Sequence, residues 1–122
     1  MLINFSNHPS TIWSHEQIEA AKQFGSVKDV AFPAVPPEAN EQEIASMADK
    51  YAEELKQHIS AEKDGSAVHI MGEMTLTFAI VQRLCQHGIT CLASTTRREV
   101  TFDKDGNKVA TFRFIQFRKY EL

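Results

Sequence analysis

The chain has no large excess of either charge, which argues against partners that depend on a strong electrostatic field. Its 122 residues contain 13 Lys and Arg against 16 Asp and Glu, so the net charge is -3 with histidine neutral. A basic surface for duplex nucleic acid or an anionic membrane is therefore not expected. A small anionic ligand remains compatible with this composition, because a local pocket can be positive on an acidic protein.

Cysteine and long apolar runs are also scarce. Cys85 and Cys91 form neither a C-x-x-C motif nor a cluster with histidine, so we interpret them as reduced thiols. No apolar run approaches the length of a membrane span, and the apolar start Met1–Phe5 follows no basic region, unlike a signal peptide. These absences predict a cytoplasmic protein with no metal and no other cofactor.

What is present suits one α/β domain covering residues 1–122, with 43% hydrophobic residues. Short apolar strands, β1 to β4 in chain order, are expected at Leu2–Ser6, Val27–Phe32, Ala67–Met71 and Ile89–Ala93. Helical patterns separate them. Because strands that alternate with helices form parallel sheets with right-handed crossovers, we predict a Rossmann-like three-layer sandwich with the order β2-β1-β3-β4.

Capping residues mark three expected helices. Ser14 with Gln17 three residues later forms a capping box, and Gly25 ends that helix. The other two helices are expected from Asn40 to about His58 and from Gly72 to about His87, and a turn is expected at Glu62–Gly65.

The last part of the chain predicts an antiparallel β-hairpin. Ser94–Arg98 is expected to be a loop after β4. Strands are then expected at Val100–Asp103 and Lys108–Phe117, around a turn with Asp105 and Gly106 at its centre.

Polar residues follow three neighbouring strands at the points where these strands end. In the predicted order the sheet reverses between β1 and β3, which is where open α/β sheets bind ligands. The candidate site residues are Ser6, Asn7, His8 and Ser10 after β1, Gly72, Glu73, Met74 and Thr75 after β3, and Ser94, Thr95, Thr96 and Arg97 after β4. We therefore predict a ligand-binding site built from these three clusters.

Several of these residues have two interpretations. His8 can be a general acid or base, or can hydrogen-bond only within the turn around Pro9. Glu73 can hold a ribose hydroxyl or can cap the helix that follows. Gly72 opens a helix whose first amides can bind an anion, and Arg97 can add a bidentate clamp. One of Arg97 and Arg98 is expected to face inward.

Other candidates rank lower. His69 lies inside an apolar strand and is interpreted as a core histidine. Trp13 is interpreted as a packing residue, with a lid over a base as the less favoured alternative. Met74 can fill the core or lie against a nucleobase. The aromatic residues of the last strand, Phe112, Phe114 and Phe117, are interpreted as core or as a dimer surface.

Three segments resemble small stand-alone CRISPR-associated proteins with a CARF-like fold. These segments are Asn4-Phe5-Ser6-Asn7-His8-Pro9, Gly72-Glu73-Met74-Thr75-Leu76-Thr77 and Ala93-Ser94-Thr95-Thr96-Arg97-Arg98. Such proteins are relatives of the cyclic-oligoadenylate sensors of type III CRISPR systems, and some are ring nucleases. The chain departs from the larger sensors because it has no effector domain and no lysine in the loops after β3 and β4.

The resemblance implies a homodimer that cradles one cyclic tetra-adenylate and cleaves it without a metal. A ribose 2′-OH would attack the adjacent phosphate and leave a 2′,3′-cyclic phosphate. The resemblance implies catalytic roles for Ser6, His8 and Glu73, and ligand contacts for the other candidate residues.

Two further hypotheses stay open. The chain can be a sensor or sponge that binds the same nucleotide without cutting it. It can also be an interaction protein whose polar strand ends are only caps. A dinucleotide enzyme is not expected, because no G-x-G-x-x-G follows β1.

Overall fold

The computed structural model describes residues 1–60 and 65–122. Within them the chain forms a mixed five-stranded sheet with helices on both faces. The strands are β1 Leu2–Ser6, β2 Val27–Ala31, β3 Ala67–Met71, β4 Thr90–Phe102 and β5 Lys108–Lys119, and the helices are α1 His15–Ala21, α2 Glu41–Ser60 and α3 Met74–Gln86. The turn predicted at Glu62–Gly65 lies, except for Gly65, outside the described residues.

The strand order is β2-β1-β3-β4-β5. The first four strands are parallel, and β5 pairs antiparallel with β4. The predicted α/β class, the order of the first four strands and the C-terminal hairpin are therefore confirmed. The order reverses between β1 and β3, as the alternating pattern indicates.

Strand β4 runs without interruption through the segment predicted to be a loop. Ser94–Arg98 lies inside this strand, which pairs with β5 as far as Phe102. The predicted loop and the predicted separate strand at Val100–Asp103 are both wrong. Pairing with β5 satisfies the backbone of this polar segment, so its lack of apolar residues does not end the strand.

Helix ends follow the capping residues, with one correction. The side chain of Ser14 accepts a hydrogen bond from the Gln17 amide, which confirms the predicted start of α1. The side chain of Asn40 caps α2 in the same way. Gly72, however, does not begin α3. Glu73 is the N-cap of this helix, and Met74 is its first residue.

The two faces of the sheet differ in how they are covered. One face, here the covered face, packs against α2 and α3 through Ile3, Phe5, Val68, Ile70 and Cys91. The other, here the open face, meets α1 through a smaller cluster made of Leu2, Trp13, Ala21, Ala67 and Leu92. Seven helical residues span only about 10 Å, whereas the 20 of α2 span about 30 Å. The short α1 therefore leaves part of its face free.

No helix in the described part of the chain is long and apolar enough to span a bilayer.

Candidate functional site

A cavity of about 660 Å³ lies on the open face, between the β1–α1 connection and the β4–β5 hairpin. It meets the carboxyl ends of β1 and β3, where the strand order reverses. Its polar lining comprises Ser6, Asn7, His8, Ser14, Gln17, His69, Ser94 and Thr96, and its aromatic lining comprises Trp13, Phe112 and Phe114. This volume is within the usual range for a small-molecule site.

The cavity brings together residues from all three predicted clusters. Those that line it are Ser6, Asn7, His8, Gly72, Ser94 and Thr96. They come from β1 and β4 and from the turns that follow β1 and β3. The parallel alignment of these strands explains why segments far apart in sequence meet here.

The remaining candidates do not line the cavity. Ser10 donates a hydrogen bond from its hydroxyl to Asp29 at 2.7 Å. Met74 is exposed and borders a second, apolar pocket near the C-terminus, while Thr75 borders a third pocket beside α2. Thr95 and Arg97 lie on the hairpin, away from the lining.

Glu73 is a helix cap. Its carboxylate accepts hydrogen bonds from the backbone amides of Thr75 and Leu76 and from the Thr75 hydroxyl, at 2.7 to 3.1 Å. These bonds, from the Leu76 amide first, hold the pKa of Glu73 below its ordinary value. The Thr75 and Leu76 amides of α3 are therefore not free for an anion, contrary to the expectation from Gly72. Gly72 instead makes room for Phe32, whose ring lies 2.5 Å from where a Cβ would stand.

A row of hydrogen-bonded side chains crosses the sheet beneath the cavity. Asn4 Nδ2 donates to Asp29 Oδ1 at 2.8 Å, and Asn4 Oδ1 lies 2.8 Å from His69 Nδ1. On the other side of the imidazole, His69 Nε2 lies 2.8 Å from Ser94 Oγ. The row thus joins β2, β1, β3 and β4. We call it the polar row, made of Asp29, Asn4, His69 and Ser94.

The partners of Asn4 determine the tautomer of His69. The Asn4 amide nitrogen donates to two acceptors, the Asp29 carboxylate and the His8 carbonyl, so its oxygen must face His69. A carbonyl oxygen only accepts, so His69 Nδ1 carries a hydrogen. The other nitrogen of the neutral ring, Nε2, is then an acceptor and receives the Ser94 hydroxyl.

Burial keeps this imidazole neutral. His69 is 2% exposed and lies between the rings of Trp13 and Phe117, each 5.5 Å from it. Burial first, and the charge of His8 second, lower the pKa of His69 to about 4. Burial acts to raise the pKa of Asp29, but hydrogen bonds from Asn4 and Ser10 outweigh it and hold that pKa below its ordinary value.

The turn after β1 is held by three donors to one carbonyl. The His8 carbonyl accepts hydrogen bonds from Asn4 Nδ2 at 2.8 Å, Ser6 Oγ at 3.1 Å and Trp13 Nε1 at 3.2 Å. The His8 side chain is exposed and lines the cavity. The backbone of His8 therefore organises the turn, and the acid–base role of its ring stays a prediction.

A β-bulge orients the hairpin residues. The pairing of β4 with β5 shifts between Thr95 and Thr96, and the Thr95 hydroxyl exchanges hydrogen bonds of 3.2 Å with the Gln116 backbone. Beyond the bulge, Arg98 is opposite the cavity-lining Phe112. Directly paired residues share a face, so Arg98, not Arg97, leaves the hairpin on the cavity side.

The cavity lining carries no Lys, Arg, Asp or Glu side chain among the described residues. The same residues include no group of three or more His, Cys, Asp or Glu that could hold a metal ion. The chemistry available at the wall is therefore that of hydroxyls, amides and two imidazoles.

The residue pattern does not predict Asn4 as a site residue, and it favours a core role for His69 and a packing role for Trp13. Both assignments are correct as far as burial goes, but both residues also line the cavity. The sequence does contain a signal for Asn4 and His69. Asn4 and His69 are polar residues at the central positions of two buried five-residue strands, and a buried polar group needs a partner.

Comparison with known proteins assigns the chain to a family. No curated protein matches the sequence, and no solved structure matches it. A family model described as the uncharacterized protein MJ1673 family matches residues 1–118, which include every strand but the last residue of β5 and all residues of the cavity lining. The chain therefore belongs to the MJ1673 family.

Proposed function

We propose that this protein is a metal-independent ring nuclease that binds a cyclic oligoadenylate, cyclic tetra-adenylate first, and cleaves it. On this proposal the fold is of the Rossmann-like, CARF-like type and the protein acts in the cytoplasm in type III CRISPR defence. The observation that carries the proposal is the cavity at the reversal of strand order, where hydroxyl and imidazole groups surround aromatic rings.

The lining suits a nucleotide in two respects. Trp13 and Phe112 offer ring surfaces for adenine, because base–aromatic stacking contributes about 1–3 kcal/mol per base. Ser6, Asn7 and Thr96 offer hydroxyl and amide groups for ribose and phosphate. Positioning alone supplies much of the rate when a 2′-OH is held in line with its neighbouring phosphate.

Positive charge would come from the edge of the cavity. Arg98 leaves the hairpin on the same side as Phe112, and the His8 ring lies at the wall. A guanidinium can hold a phosphate through two parallel hydrogen bonds. On this view Arg98 takes the role that the sequence assigned to Arg97, and Glu73 keeps α3 in place without transferring a proton.

A homodimer would complete the site. Among the described residues, strand β4 pairs only with β5 from Ser94 to Phe102, and this two-stranded arm exposes Val100, Phe102 and Phe112. A two-stranded hairpin is marginally stable alone in water, so contact with a second copy would stabilise the arm. Two cavities across the two-fold axis would then share one cyclic oligoadenylate, with half of the ligand in each cavity.

The alternative is a sensor or sponge that holds the nucleotide intact. The same contacts serve both functions, since binding needs the aromatic rings and hydroxyls but no base. The absence of an acidic or lysine side chain from the described lining favours this alternative.

The test is incubation of the purified protein with cyclic tetra-adenylate and cyclic hexa-adenylate in the presence of EDTA, followed by chromatography. Linear fragments that end in a 2′,3′-cyclic phosphate support the ring nuclease. Intact ligand that co-elutes with the protein supports the sensor or sponge. Intact ligand that does not bind contradicts both and leaves the interaction protein.

Two histidine variants sharpen this test. His8→Ala removes an imidazole from the cavity wall, and we expect it to weaken binding or cleavage at least tenfold. His15→Ala is the matched control, because His15 is an exposed histidine outside the cavity. Equal activity in the two variants would contradict a role for the His8 side chain.

A further inference from the structure

We propose that Ser94 is the catalytic residue of this cavity, and that His69, oriented by Asn4, removes a proton through the Ser94 hydroxyl. This inference rests on the proposed function, because the proton it removes belongs to the ribose 2′-OH. It changes the assignment of the base, which the sequence gives to His8 or Glu73. It stands on the geometry of the polar row.

The distances match those of a nucleophile, a base and an orienting group. Ser94 Oγ lies 2.8 Å from His69 Nε2, and His69 Nδ1 lies 2.8 Å from Asn4 Oδ1. Such arrangements are recognised by geometry and roles, and an asparagine in the third position occurs in cysteine proteases. Asn4 is itself held by the Asp29 carboxylate and the His8 carbonyl, so its oxygen stays directed at the imidazole.

Access explains why the hydroxyl must act as an intermediary. His69 is 2% exposed and its Nε2 faces Ser94 Oγ, so a ligand in the cavity meets the hydroxyl first. Ser94 is half-buried and lines the cavity. Its single hydroxyl hydrogen has two acceptors, His69 Nε2 and Met71 Sδ at 3.2 Å, and only the nitrogen is basic.

The step balances without a metal. The 2′-oxygen forms a bond to the adjacent phosphorus as its proton moves to Ser94 Oγ, and the Ser94 proton moves to His69 Nε2. The bond from phosphorus to the 5′-oxygen breaks, and that oxygen takes a proton from water. The products are a 2′,3′-cyclic phosphate and a 5′-hydroxyl, and His69 then returns its proton to solvent through Ser94.

The pH profile separates this base from an ordinary histidine. The titratable groups that face His69 in the described residues are His8, across the cavity wall, and Asp29, through Asn4. With a pKa near 4, His69 is unprotonated at every pH above about 5. We therefore expect a kcat that is flat from pH 5.5 to 8. A base with the ordinary histidine pKa would lose activity below about pH 6.5.

The experiment measures kcat and KM for cyclic tetra-adenylate in Ser94→Ala, Ser94→Thr and His69→Gln. We expect kcat to fall by about 100-fold or more in Ser94→Ala and His69→Gln, with KM changed less than threefold, because general base catalysis contributes about 10²–10⁴. Ser94→Thr keeps the hydroxyl and should retain most of the rate. Thr101→Ala, an exposed position on the same strand, is the control.

Two outcomes would overturn the inference. One is a kcat in Ser94→Ala within threefold of wild type, which leaves the ring nuclease standing with another base. The other is a wild-type kcat that drops below pH 6.5. Ser94→Ala carries the decision if His69→Gln fails to fold, since Ser94 is not in the core.

A wild-type protein that cuts no ring would contradict the proposed function itself. The activation of Ser94 by His69 then has a separate readout, which is labelling by a fluorophosphonate probe. Labelling of Ser94 that disappears in His69→Gln supports the activation of this hydroxyl for another substrate. An unlabelled Ser94 in that protein overturns the inference.

Discussion

The two faces of the sheet are built from the same strands and yet carry different chemistry. In β1 and β3, the residues facing α2 and α3 are Ile3, Phe5, Val68 and Ile70, all apolar and fully buried. The residues facing the other way include Asn4 and His69, equally buried but polar. Because side chains alternate along a strand, one five-residue segment serves a core on one side and a hydrogen-bonded network on the other.

The difference teaches that helix length decides where a site can form. Helices α2 and α3 cover their face, so apolar residues there gain stability from burial. Helix α1 covers only the base of the open face, where Leu2 and Ala67 are apolar. Past that base the strand residues meet a cavity, and polar groups there are stable only because each has a partner.

The largest effect expected on either face is that of Phe5→Ala. Phe5 is fully buried on the covered face and packs against the rings of Phe32 and Tyr51. Its loss should lower the free energy of unfolding by about 3–5 kcal/mol, measured by chemical denaturation. Phe102→Ala is the matched control, since Phe102 is 70% exposed and should change stability by about 0.5 kcal/mol or less. Similar losses in both variants would contradict the assigned core.

The buried imidazole of the open face should make the stability depend on pH below neutrality. The pKa of His69 falls from 6.5 to about 4 on folding, so below pH 6.5 the unfolded chain binds a proton that the folded chain does not. Stability should therefore fall by about 3 kcal/mol as the pH drops from about 6.5 to about 4. Denaturation series on wild type and His69→Gln at several pH values test this. If His69 is not buried and neutral, stability should fall with pH by the same amount in wild type and in His69→Gln.

Asn4→Ala tests whether the polar row is a network or a set of separate contacts. The change leaves His69 Nδ1 without its acceptor and removes the nearer of the two acceptors of the Ser6 hydroxyl, and we expect a loss of about 2 kcal/mol in the free energy of unfolding. Asn7→Ala, an exposed asparagine in the following turn, should change little. A network also predicts that Asn4→Ala and His69→Gln are not additive, so additive losses in the double variant would contradict it.

The smallest expected effect is a gain in stability, and it comes from a residue of α3 on the covered face. Thr77 in α3 is 8% exposed, and in the described part of the chain its hydroxyl has no hydrogen-bond partner. Thr77→Val removes that polar group at nearly constant volume and should raise the free energy of unfolding by about 1 kcal/mol. Thr75→Val is the control, because it removes a hydroxyl that bonds Glu73 and should not stabilise. A loss of stability in Thr77→Val would show that the hydroxyl has a partner in solution.

The strands and the sheet order could be predicted because they depend on local pattern and on topology rules. Leu2–Ser6 and Ala67–Met71 have the bounds that their apolar character indicates. The position of the cavity followed from the reversal of strand order between them. The roles of individual residues could not be predicted in the same way. Whether Glu73 turns to its own helix amides or to a ligand depends on a rotamer that the sequence does not specify.

The sequence by itself determined the α/β class, the order of the four parallel strands, the hairpin and the edge of the sheet where polar side chains gather, because periodicity and strand alternation are local properties. Only the tertiary structure decided that β4 continues through Ser94–Arg98, that Arg98 faces the cavity side, and that Asn4, His69 and Ser94 bond to one another. These features depend on register between strands that are distant in sequence. A shift of one residue in any of the three strands would turn its member of the row to the opposite face.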